Sequence, residues 1–403
     1  MPANQAAVGG SCAGPFCELF LSGIGVFAMR YNYDLKFLER KDFKAYKIDA
    51  PYLKIKNQVK EIAVYKGGGG LGDLVVSVPF FSHLKRAFPQ AKISYMGIIY
   101  PKYEKIFKSI PAIDGYIHYE RPNRARGLKR YWEFRRNFKG KIDLLIDTQR
   151  RWETSFWLKN LKPRYMLSAA FALSDWPIVK LDYKRMHILE QLLVLLARLG
   201  VQDFKNLSGG ITIPAAYRER AVKFLKIENK EKFVAIIPGC GMNFKNWPAE
   251  YFAQLSDMFC DAGFKPIILG SPEQMPLIKD IARRMRNRPI LPSVEDADFC
   301  ADIMNTAALL ERCVIAVGND SGGMHLASFL GAQSATIFGP TTPRKFAPIG
   351  NKNLIFYKAL PCSPCRFQCK RKIFKECLFS IKPEDVFNSC TNFLEKIDIG
   401  QER

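Results

Sequence analysis

Short apolar runs alternate with amphipathic stretches from Glu61 onwards. Runs of about four to eight apolar residues predict buried strands, and an apolar face of helical period predicts the helices that cover them. In the first half of the chain the predicted elements are Ile62–Tyr65 (strand), Leu71–Phe88 (helix), Lys92–Met96 (strand), Ile142–Ile146 (strand) and Tyr183–Leu199 (helix). Alternation of the two element types is typical of an α/β domain built on a parallel sheet.

A second series of the same kind follows a break near Asn206–Pro214, where glycine and proline punctuate the chain. Its predicted elements are Phe233–Ile237 (strand), Pro248–Ala262 (helix), Pro266–Leu269 (strand), Met275–Met285 (helix), Cys313–Val317 (strand), Met324–Leu330 (helix) and Ala335–Phe338 (strand). Two such series predict two Rossmann-like domains with parallel sheets facing each other across a cleft, and ligands at the carboxyl ends of the strands. We predict an N-terminal arm of uncertain structure (1–60), a first domain (61–213) and a second domain (214–403).

Composition and charge restrict the class of protein. The chain has 403 residues, of which 48% are hydrophobic and 25% are charged, so it is neither disordered, collagenous nor a coiled coil. Lys and Arg outnumber Asp and Glu by 61 to 38, which gives a net charge of +23 and favours a polyanionic partner. Nucleic acid, an anionic membrane and phosphorylated small molecules all meet that description.

Apolar segments and cysteines indicate the compartment. The longest apolar candidate, Leu19–Met29, is shorter than the roughly 18 to 20 residues of a membrane-spanning helix. Residues 1–15 contain no Lys or Arg, so a secretory signal is not expected. The 11 cysteines are odd in number and mostly scattered, which favours a reducing compartment over a disulfide framework. We therefore expect a cytoplasmic protein.

Glycines Gly67, Gly69 and Gly72 lie between the first predicted strand and helix at the spacing of a dinucleotide-binding loop. That fingerprint also requires an acidic residue at the end of the second strand, which here runs into Gly97 without one. The loop leads instead to Asp73. Asp73 is either a helix-terminal acid stabilised by the helix dipole or a general base on a loop kept open for a bulky acceptor.

Another strand, turn and helix start follow at residues 314–325. The backbone N–H groups of Ser321, Gly322 and Gly323 would point at a ligand, and the helix dipole favours a negative one there. This predicts a diphosphate site, unless Asp320 or Ser321 simply caps the helix. His325, on the same helix, is either catalytic or a packing residue.

Two further loops add donors to this predicted anion site. Thr341 follows the next predicted strand and offers a hydroxyl group, and Lys245 lies in the loop after Phe233–Ile237 and offers a cation. Asp296, Ala297 and Asp298 form a literal DxD sequence, but it follows no apolar strand and precedes an amphipathic stretch. We therefore interpret Asp298 as a helix cap.

Together these segments resemble glycosyltransferase family 9, the bacterial lipopolysaccharide heptosyltransferases. The residues that carry the resemblance are Gly70–Leu74, Val78, Pro79, Pro238, Gly239, Lys245–Pro248, Asp320–Ala327, Gly331, Phe338–Thr341 and Pro343. The family often has Arg where this chain has Asn246. The resemblance implies a GT-B fold and inverting, metal-independent transfer of heptose from ADP-heptose to the lipopolysaccharide inner core, onto a Kdo or heptose acceptor.

The resemblance also implies residue roles. Asp73 would deprotonate the acceptor hydroxyl, and Lys245 would neutralise the leaving diphosphate. The donor sugar and phosphates would be bound by Asp320, Ser321, Gly322 and Gly323, and Glu273 matches the approximate place where the family holds the ribose hydroxyls. No cofactor is expected beyond the nucleotide-sugar donor.

The basic, aromatic-rich segment Arg121–Arg151 has three interpretations. In an inner-core transferase it would face an anionic, lipid-linked oligosaccharide acceptor at the inner-membrane surface, with Arg135 and Arg136 as acceptor-binding residues. It is otherwise a solvated helix face or a nucleic-acid surface. We expect the first of these, and therefore an enzyme peripheral to the cytoplasmic face of the inner membrane that binds no nucleic acid.

Four cysteines near the C-terminus have spacing that could hold a structural metal ion tetrahedrally, and they are Cys362, Cys365, Cys369 and Cys377. We expect reduced, packed thiols, and a structural metal ion is the alternative. Two rival functions also stay open: a transferase of the same fold with another nucleotide sugar or a protein acceptor, and a basic nucleic-acid-binding protein. The sequence leaves the oligomeric state unspecified.

Overall fold

The structure of the chain, a computed structural model, contains two α/β domains. It describes residues 16–21, 27–31, 54–122, 125–170, 173–176, 186–201, 204, 207, 210–226, 231–350, 353–365 and 368–401. The strands are β1 Phe16–Leu21, β2 Phe27–Tyr31, β3 Glu61–Gly68, β4 Lys92–Ile98, β5 Gly115–His118, β6 Leu144–Asp147, β7 Tyr165–Ser168, β8 Phe233–Ile237, β9 Lys265–Ile268, β10 Cys313–Asn319, β11 Gln333–Phe338 and β12 Asn353–Tyr357.

Helices connect these strands. They are α1 Leu71–Ala87, α2 Glu104–Lys108, α3 Ala125–Phe138, α4 Trp152–Lys159, α5 Ile188–Leu199, α6 Ala215–Leu225, α7 Ala249–Asp261, α8 Met275–Arg284, α9 Pro292–Glu295, α10 Ala297–Ala301, α11 Ile303–Glu311, α12 Gly322–Phe329, α13 Pro343–Phe346, α14 Glu376–Phe379 and α15 Pro383–Gln401. Short 3₁₀ helices occur at Pro101–Tyr103, Asn243–Lys245 and Pro272–Gln274.

The first sheet has the order β5-β4-β3-β6-β7, and all its strands are parallel. Numbered along the chain, this order is 3-2-1-4-5, the arrangement of a Rossmann-like sheet. The second sheet contains the parallel series β9-β8-β10-β11-β12, and Ile290 adds a parallel bridge beside β9. Both domains are therefore α/β with Rossmann-like connections, as the alternating apolar pattern predicts.

The apolar runs become strands that are buried on both faces. In β8, Val234 and Ile236 pack with the helices on one face, while Ala235 and Ile237 pack on the other. Helices on both faces of a parallel sheet cause this double burial, which explains the continuous apolar runs in the sequence. The predicted helix Tyr183–Leu199 is observed from Ile188 onwards, and residues 183–185 lie outside the described part of the chain.

Strands β1 and β2 extend the second sheet beyond its parallel core. They pair with each other antiparallel, and β2 pairs antiparallel with β12. These residues precede the first domain in sequence and yet belong to the sheet of the second domain. The predicted arm thus contains two strands. The predicted boundary between the two domains, at residues 213 and 214, stays a prediction.

The acidic residues after α9 cap two short helices. Asp296 precedes α10, and its carboxylate accepts a hydrogen bond from the backbone N–H of Phe299 at 2.8 Å. Asp302 precedes α11 and accepts from the backbone N–H of Met304 at 3.0 Å. The prediction that Asp298 is the cap is wrong, because α10 begins at Ala297 and Asp298 lies inside its first turn.

Candidate active site

The helices that follow β3 and β10 begin next to each other. A Cβ atom added to Gly322 would lie 2.8 Å from the backbone nitrogen of Gly72 and 2.8 Å from Cβ of Leu71. A Cβ atom added to Gly72 would lie 3.1 Å from Cδ2 of His325. Glycine at both positions lets the starts of α1 and α12 approach closely. The carboxyl ends of the two sheets therefore face each other at this point.

Asp73 lies in the first turn of α1 and its side chain is exposed. The backbone N–H of Gly70 donates to its Oδ2 at 3.1 Å, so the carboxylate has the capping contact that one interpretation of the sequence expects. Exposure leaves the carboxylate accessible from the cleft as well. The contact therefore fits both a capping residue and a base.

Lys66 is a buried lysine near Asp73 that sequence reasoning did not identify. Its side chain lies at the carboxyl end of β3 and is 8% exposed. Burial lowers the pKa of Lys66, and the charge of Asp73 opposes that shift. The sequence feature that could have identified Lys66 is its position directly after the apolar residues of β3.

On the other side of the cleft, three of the predicted donor-site residues are in contact. Nζ of Lys245 lies 3.0 Å from Oδ2 of Asp320 and donates to the Asp320 carbonyl oxygen at 2.7 Å. The Thr341 hydroxyl donates to the same Oδ2 at 2.7 Å. These residues come from the loops after β8, β10 and β11, so adjacent parallel strands bring them to one edge of the sheet.

Asn319, at the end of β10, fixes the loop that carries Lys245. Its Oδ1 accepts from the backbone N–H of Trp247 at 2.9 Å, and its Nδ2 donates to the carbonyl of Pro238 at 2.5 Å. Trp247 is 1% exposed and donates through Nε1 to the carbonyl of Ile381 at 3.0 Å. Sequence reasoning assigned Asn319 no role, although it stands beside the predicted site.

Two buried polar atoms at the start of α12 have no hydrogen-bond partner among the described residues. They are Oγ of Ser321, the residue before the helix, and Nδ1 of His325. An unsatisfied buried polar group costs about 1–3 kcal/mol, so such atoms mark places where a ligand would be stabilised. Burial lowers the pKa of His325, while Asp320 and Asp73 oppose the shift, so a neutral imidazole is favoured. Gly322 and Gly323 form the first turn between these atoms.

Glu273 faces the first domain from the 3₁₀ helix after β9. Its carboxylate lies 3.4 Å from Nζ of Lys102, and its side chain is 67% exposed. A hydrogen bond from Ser271, a backbone hydrogen bond and the charge of Lys102 lower the pKa of Glu273 to about 2. It is therefore an ionised hydrogen-bond acceptor at neutral pH.

Arg135 and Arg136 lie in the last turn of α3. Arg135 donates through Nε to the carbonyl of Asn160 at 2.9 Å, and its guanidinium lies 5.2 Å from the ring of Trp132. Because α3 leads from the carboxyl end of β5 to the amino end of β6, this turn lies away from the start of α1. The structure does not bring these arginines together with Asp73, and their acceptor role stays a prediction.

Other cations of the same basic segment lie at the carboxyl ends of the strands. Arg121 follows β5, and Arg150 and Arg151 follow β6. Arg121 and Arg151 are close enough to Tyr65 to oppose the rise in its pKa, which burial raises to about 12. Burial lowers the pKa of Lys345 in the second domain, and the charge of Arg150 adds to that shift. This end of the basic segment borders the cleft.

The four predicted cysteines are free thiols close to one another. Burial raises the pKa of Cys377 to about 11, and the other three thiols add to the rise. The backbone N–H of Lys375 donates to Sγ of Cys369 at 3.3 Å. Within the described ranges, no group of three or more His, Cys, Asp or Glu side chains has an arrangement that could hold a metal ion. The expectation of reduced, packed thiols in place of a structural metal ion stays a prediction.

A search of the described helices finds none that combines the length and the apolarity required to cross a membrane.

Comparison with protein families gives a match over residues 131–374 to the family described as glycosyltransferase family 9 (heptosyltransferase). This segment is more than half of the chain, and Asp73 lies before it. Lipooligosaccharide heptosyltransferase 2 of Campylobacter jejuni is 26% identical over 332 residues, which cover 81% of this chain and 96% of that protein.

Two solved structures are similar in fold. A glycosyl transferase family 9 protein from Veillonella parvula has a TM-score of 0.68 at 24% identity, covering 84% of this chain and 97% of that one. The E. coli ADP-heptose lps heptosyltransferase II has a TM-score of 0.65 at 16% identity, covering 84% of this chain and 99% of that one. The shared two-domain architecture confirms the predicted GT-B fold.

Proposed function

The chain belongs to glycosyltransferase family 9, the heptosyltransferases, and we propose that it transfers heptose from ADP-heptose to the inner core of lipopolysaccharide. The observation that carries this proposal is the contact of the two helix starts at Gly72 and Gly322. It sets an exposed carboxylate, Asp73, within about one helical turn of a polar site suited to a diphosphate.

The start of α12 supports binding of the donor diphosphate. Ser321, Gly322 and Gly323 supply first-turn amides, and the helix dipole favours a negative ligand there. The Ser321 hydroxyl and the His325 imidazole offer buried polar atoms for further hydrogen bonds. A nucleoside diphosphate has enough acceptor oxygen atoms to use all of them.

The proposed reaction is a single displacement. The acceptor hydroxyl transfers its proton to the Asp73 carboxylate as its oxygen bonds to the anomeric carbon, and the bond from that carbon to the diphosphate breaks. Attack from the face opposite the leaving ADP inverts the anomeric configuration. The electron pair of the broken bond leaves with ADP.

Lys245 is the proposed counter-charge for the leaving group. Its ammonium group, 3.0 Å from Asp320, lies at the edge of the α12 site in a half-buried environment, where charge stabilisation is stronger than in water. With the helix amides, it offsets the charge that develops on ADP. The family resemblance supports a reaction that uses these groups in place of a metal ion. Thr341 and Asp320 hold the ammonium group in position.

Glu273 and the cleft arginines complete the proposed substrate contacts. Glu273, ionised and exposed at the end of β9, would accept hydrogen bonds from the ribose hydroxyls. Arg121, Arg150 and Arg151 border the cleft and would pair with the anionic groups of a lipid-linked acceptor, with the predicted Arg135 and Arg136 further away. We place the enzyme at the cytoplasmic face of the inner membrane, where such an acceptor would be reached.

A donor and acceptor panel tests the proposal. Purified protein is incubated with ADP-heptose, UDP-sugars or GDP-sugars and with core-truncated lipopolysaccharides, and the products are weighed by mass spectrometry. We expect one heptose to be added from ADP-heptose to one truncated core, and the new linkage to be inverted. Transfer from another nucleotide sugar, or to a protein only, would contradict the assignment.

A further inference from the structure

Two neighbouring helices of the first domain expose large apolar side chains on the outer surface. On α3, Leu128 is 39% and Trp132 is 50% exposed, and on α4, Trp152 is 64% and Phe156 is 47% exposed. Each pair is four residues apart and therefore lies on one face of its helix. A cluster of this kind on a folded surface marks an interaction site, whereas single exposed apolar residues do not.

Aromatic contacts join the two helices into one surface. The ring centroid of Tyr131 lies 5.5 Å from that of Trp132 and 4.8 Å from that of Trp157, and Trp157 lies 5.5 Å from Phe156. The Tyr131 hydroxyl donates to the carbonyl of Trp157 at 2.8 Å, and Tyr131 is 2% exposed. Trp132 and Phe156 therefore pack against an inner layer formed by the buried Tyr131 and the half-buried Trp157, which fixes their positions.

Cations surround these rings. Between residues 128 and 141 one exposed acid, Glu133, stands among five exposed cations, which are Lys129, Arg130, Arg136, Lys139 and Lys141. Arg151, also exposed, directly precedes Trp152. Tryptophan, other apolar side chains and cations on one helical face are the combination that favours the surface of an anionic bilayer.

We propose that this surface, the α3–α4 face, docks on an anionic lipid bilayer. Leu128, Trp132, Trp152 and Phe156 enter the headgroup region, and the surrounding cations pair with lipid phosphates. Trp152 follows Arg150 and Arg151, which border the cleft, so a docked bilayer lies beside the cleft opening. A lipid-linked acceptor would reach Asp73 from that side, and this last point rests on the proposed function.

Co-sedimentation of the full chain with vesicles tests the proposal. The vesicles contain phosphatidylcholine alone or phosphatidylcholine mixed with phosphatidylglycerol. We expect binding to the mixed vesicles only, and at least about tenfold weaker binding for Trp132→Ser/Phe156→Ser, because the buried apolar area is lost. Lys129→Gln/Lys139→Gln removes charge at exposed positions without touching the aromatic layer. It should weaken binding by about fivefold per charge, an effect that added salt reduces.

Ile373→Ser/Phe374→Ser provides the matched control. These two side chains are 62% and 59% exposed and lie beside Lys372 and Lys375 in the second domain. The control should bind mixed vesicles like the parent. The proposal is overturned if the control loses as much binding as Trp132→Ser/Phe156→Ser, if both α3–α4 variants bind like the parent, or if the parent binds no mixed vesicles.

Two further measurements distinguish membrane docking from nucleic-acid binding and from the proposed transferase function. If the parent binds a single-stranded oligonucleotide but no vesicles, and the α3–α4 variants lose that binding, the surface recognises nucleic acid and the proposal is wrong. Calorimetry with ADP should give the same affinity for the parent and both α3–α4 variants, which also shows that they fold. Failure of the parent to bind ADP would contradict the proposed function while leaving vesicle binding as the test of the α3–α4 face.

Discussion

The starts of α1 and α12 are alike in sequence pattern and differ in chemistry. Each follows a buried strand and a short turn, and the two meet at Gly72 and Gly322. At α1 the polar group is Asp73, which is exposed and already accepts a backbone hydrogen bond. At α12, Oγ of Ser321 and Nδ1 of His325 are buried without hydrogen-bond partners among the described residues. The start of α1 therefore presents an accessible carboxylate, and the start of α12 has polar atoms that could bind a ligand.

This difference indicates that the two helix starts have different functions. A helix start whose own side chain occupies the amides is poorly suited to bind an anion, whereas a start with open amides and an adjacent cation is well suited. We therefore assign the acceptor chemistry to α1 and the diphosphate to α12.

Asp73→Asn should separate catalysis from donor binding. Asn keeps nearly the same volume and can still accept from the Gly70 N–H, so the melting temperature and ADP affinity should stay near those of the parent. Loss of the base should lower kcat by about 10²–10⁴-fold. Steady-state kinetics at saturating donor and acceptor, with ADP calorimetry, measure both quantities. Retention of more than about a tenth of parental turnover would show that Asp73 is only a cap.

Lys245→Met should weaken the α12 start and spare the α1 start. Loss of a charge-assisted hydrogen bond predicts about 10- to 100-fold weaker ADP binding. The substitution also leaves the Asp320 carboxylate buried without its cation, so the melting temperature should fall. Adding Asp320→Asn should restore the melting temperature without restoring ADP affinity. Parental ADP affinity in Lys245→Met would place the diphosphate elsewhere.

Gly322→Ala should disturb the contact between the two starts. The new Cβ would lie 2.8 Å from the Gly72 nitrogen, and such overpacking costs about 1–3 kcal/mol. Gly241→Ala is the control, because a Cβ there meets nothing within 4 Å. Thermal unfolding should show a lower melting temperature for Gly322→Ala alone. Equal melting temperatures for the two variants would mean that the helix starts are not in close contact.

Glu273→Gln should have the smallest effect. The side chain is exposed, so loss of one ribose contact should weaken ADP binding by only about two- to fivefold. Glu219→Gln, which removes an exposed carboxylate on α6, is the matched control and should bind ADP like the parent. An ADP affinity unchanged by Glu273→Gln would remove Glu273 from the site.

The sequence predicted the parts of the site that depend on local pattern. Strand, turn and helix signals located Asp73 and Ser321, and the loops after β8 and β11 located Lys245 and Thr341. Their positions could be predicted because parallel strands place their carboxyl ends at the same edge of a sheet, whatever the details of packing. The contact of Gly72 with Gly322 depends on how two domains pack, and no local period contains that information.

The features that the sequence did not predict also have physical causes. Strand β5 has four residues that alternate between half-buried and exposed, so it gives no apolar run. Without β5, the direction of α3 could not be assigned, and Arg135 was grouped with cations at the opposite end of the sheet. Lys66 was missed because a lysine in a strand usually faces solvent, whereas this one continues the buried run that begins at Ile62.

Hydrogen exchange with and without ADP tests most directly whether the two helix starts form one site. We expect ADP to slow amide exchange in residues 69–73 and in residues 321–325, with little change in α3 and α4. Protection of residues 321–325 alone would mean that the donor site does not include the α1 start. Protection of neither segment would contradict the binding of ADP at the two helix starts.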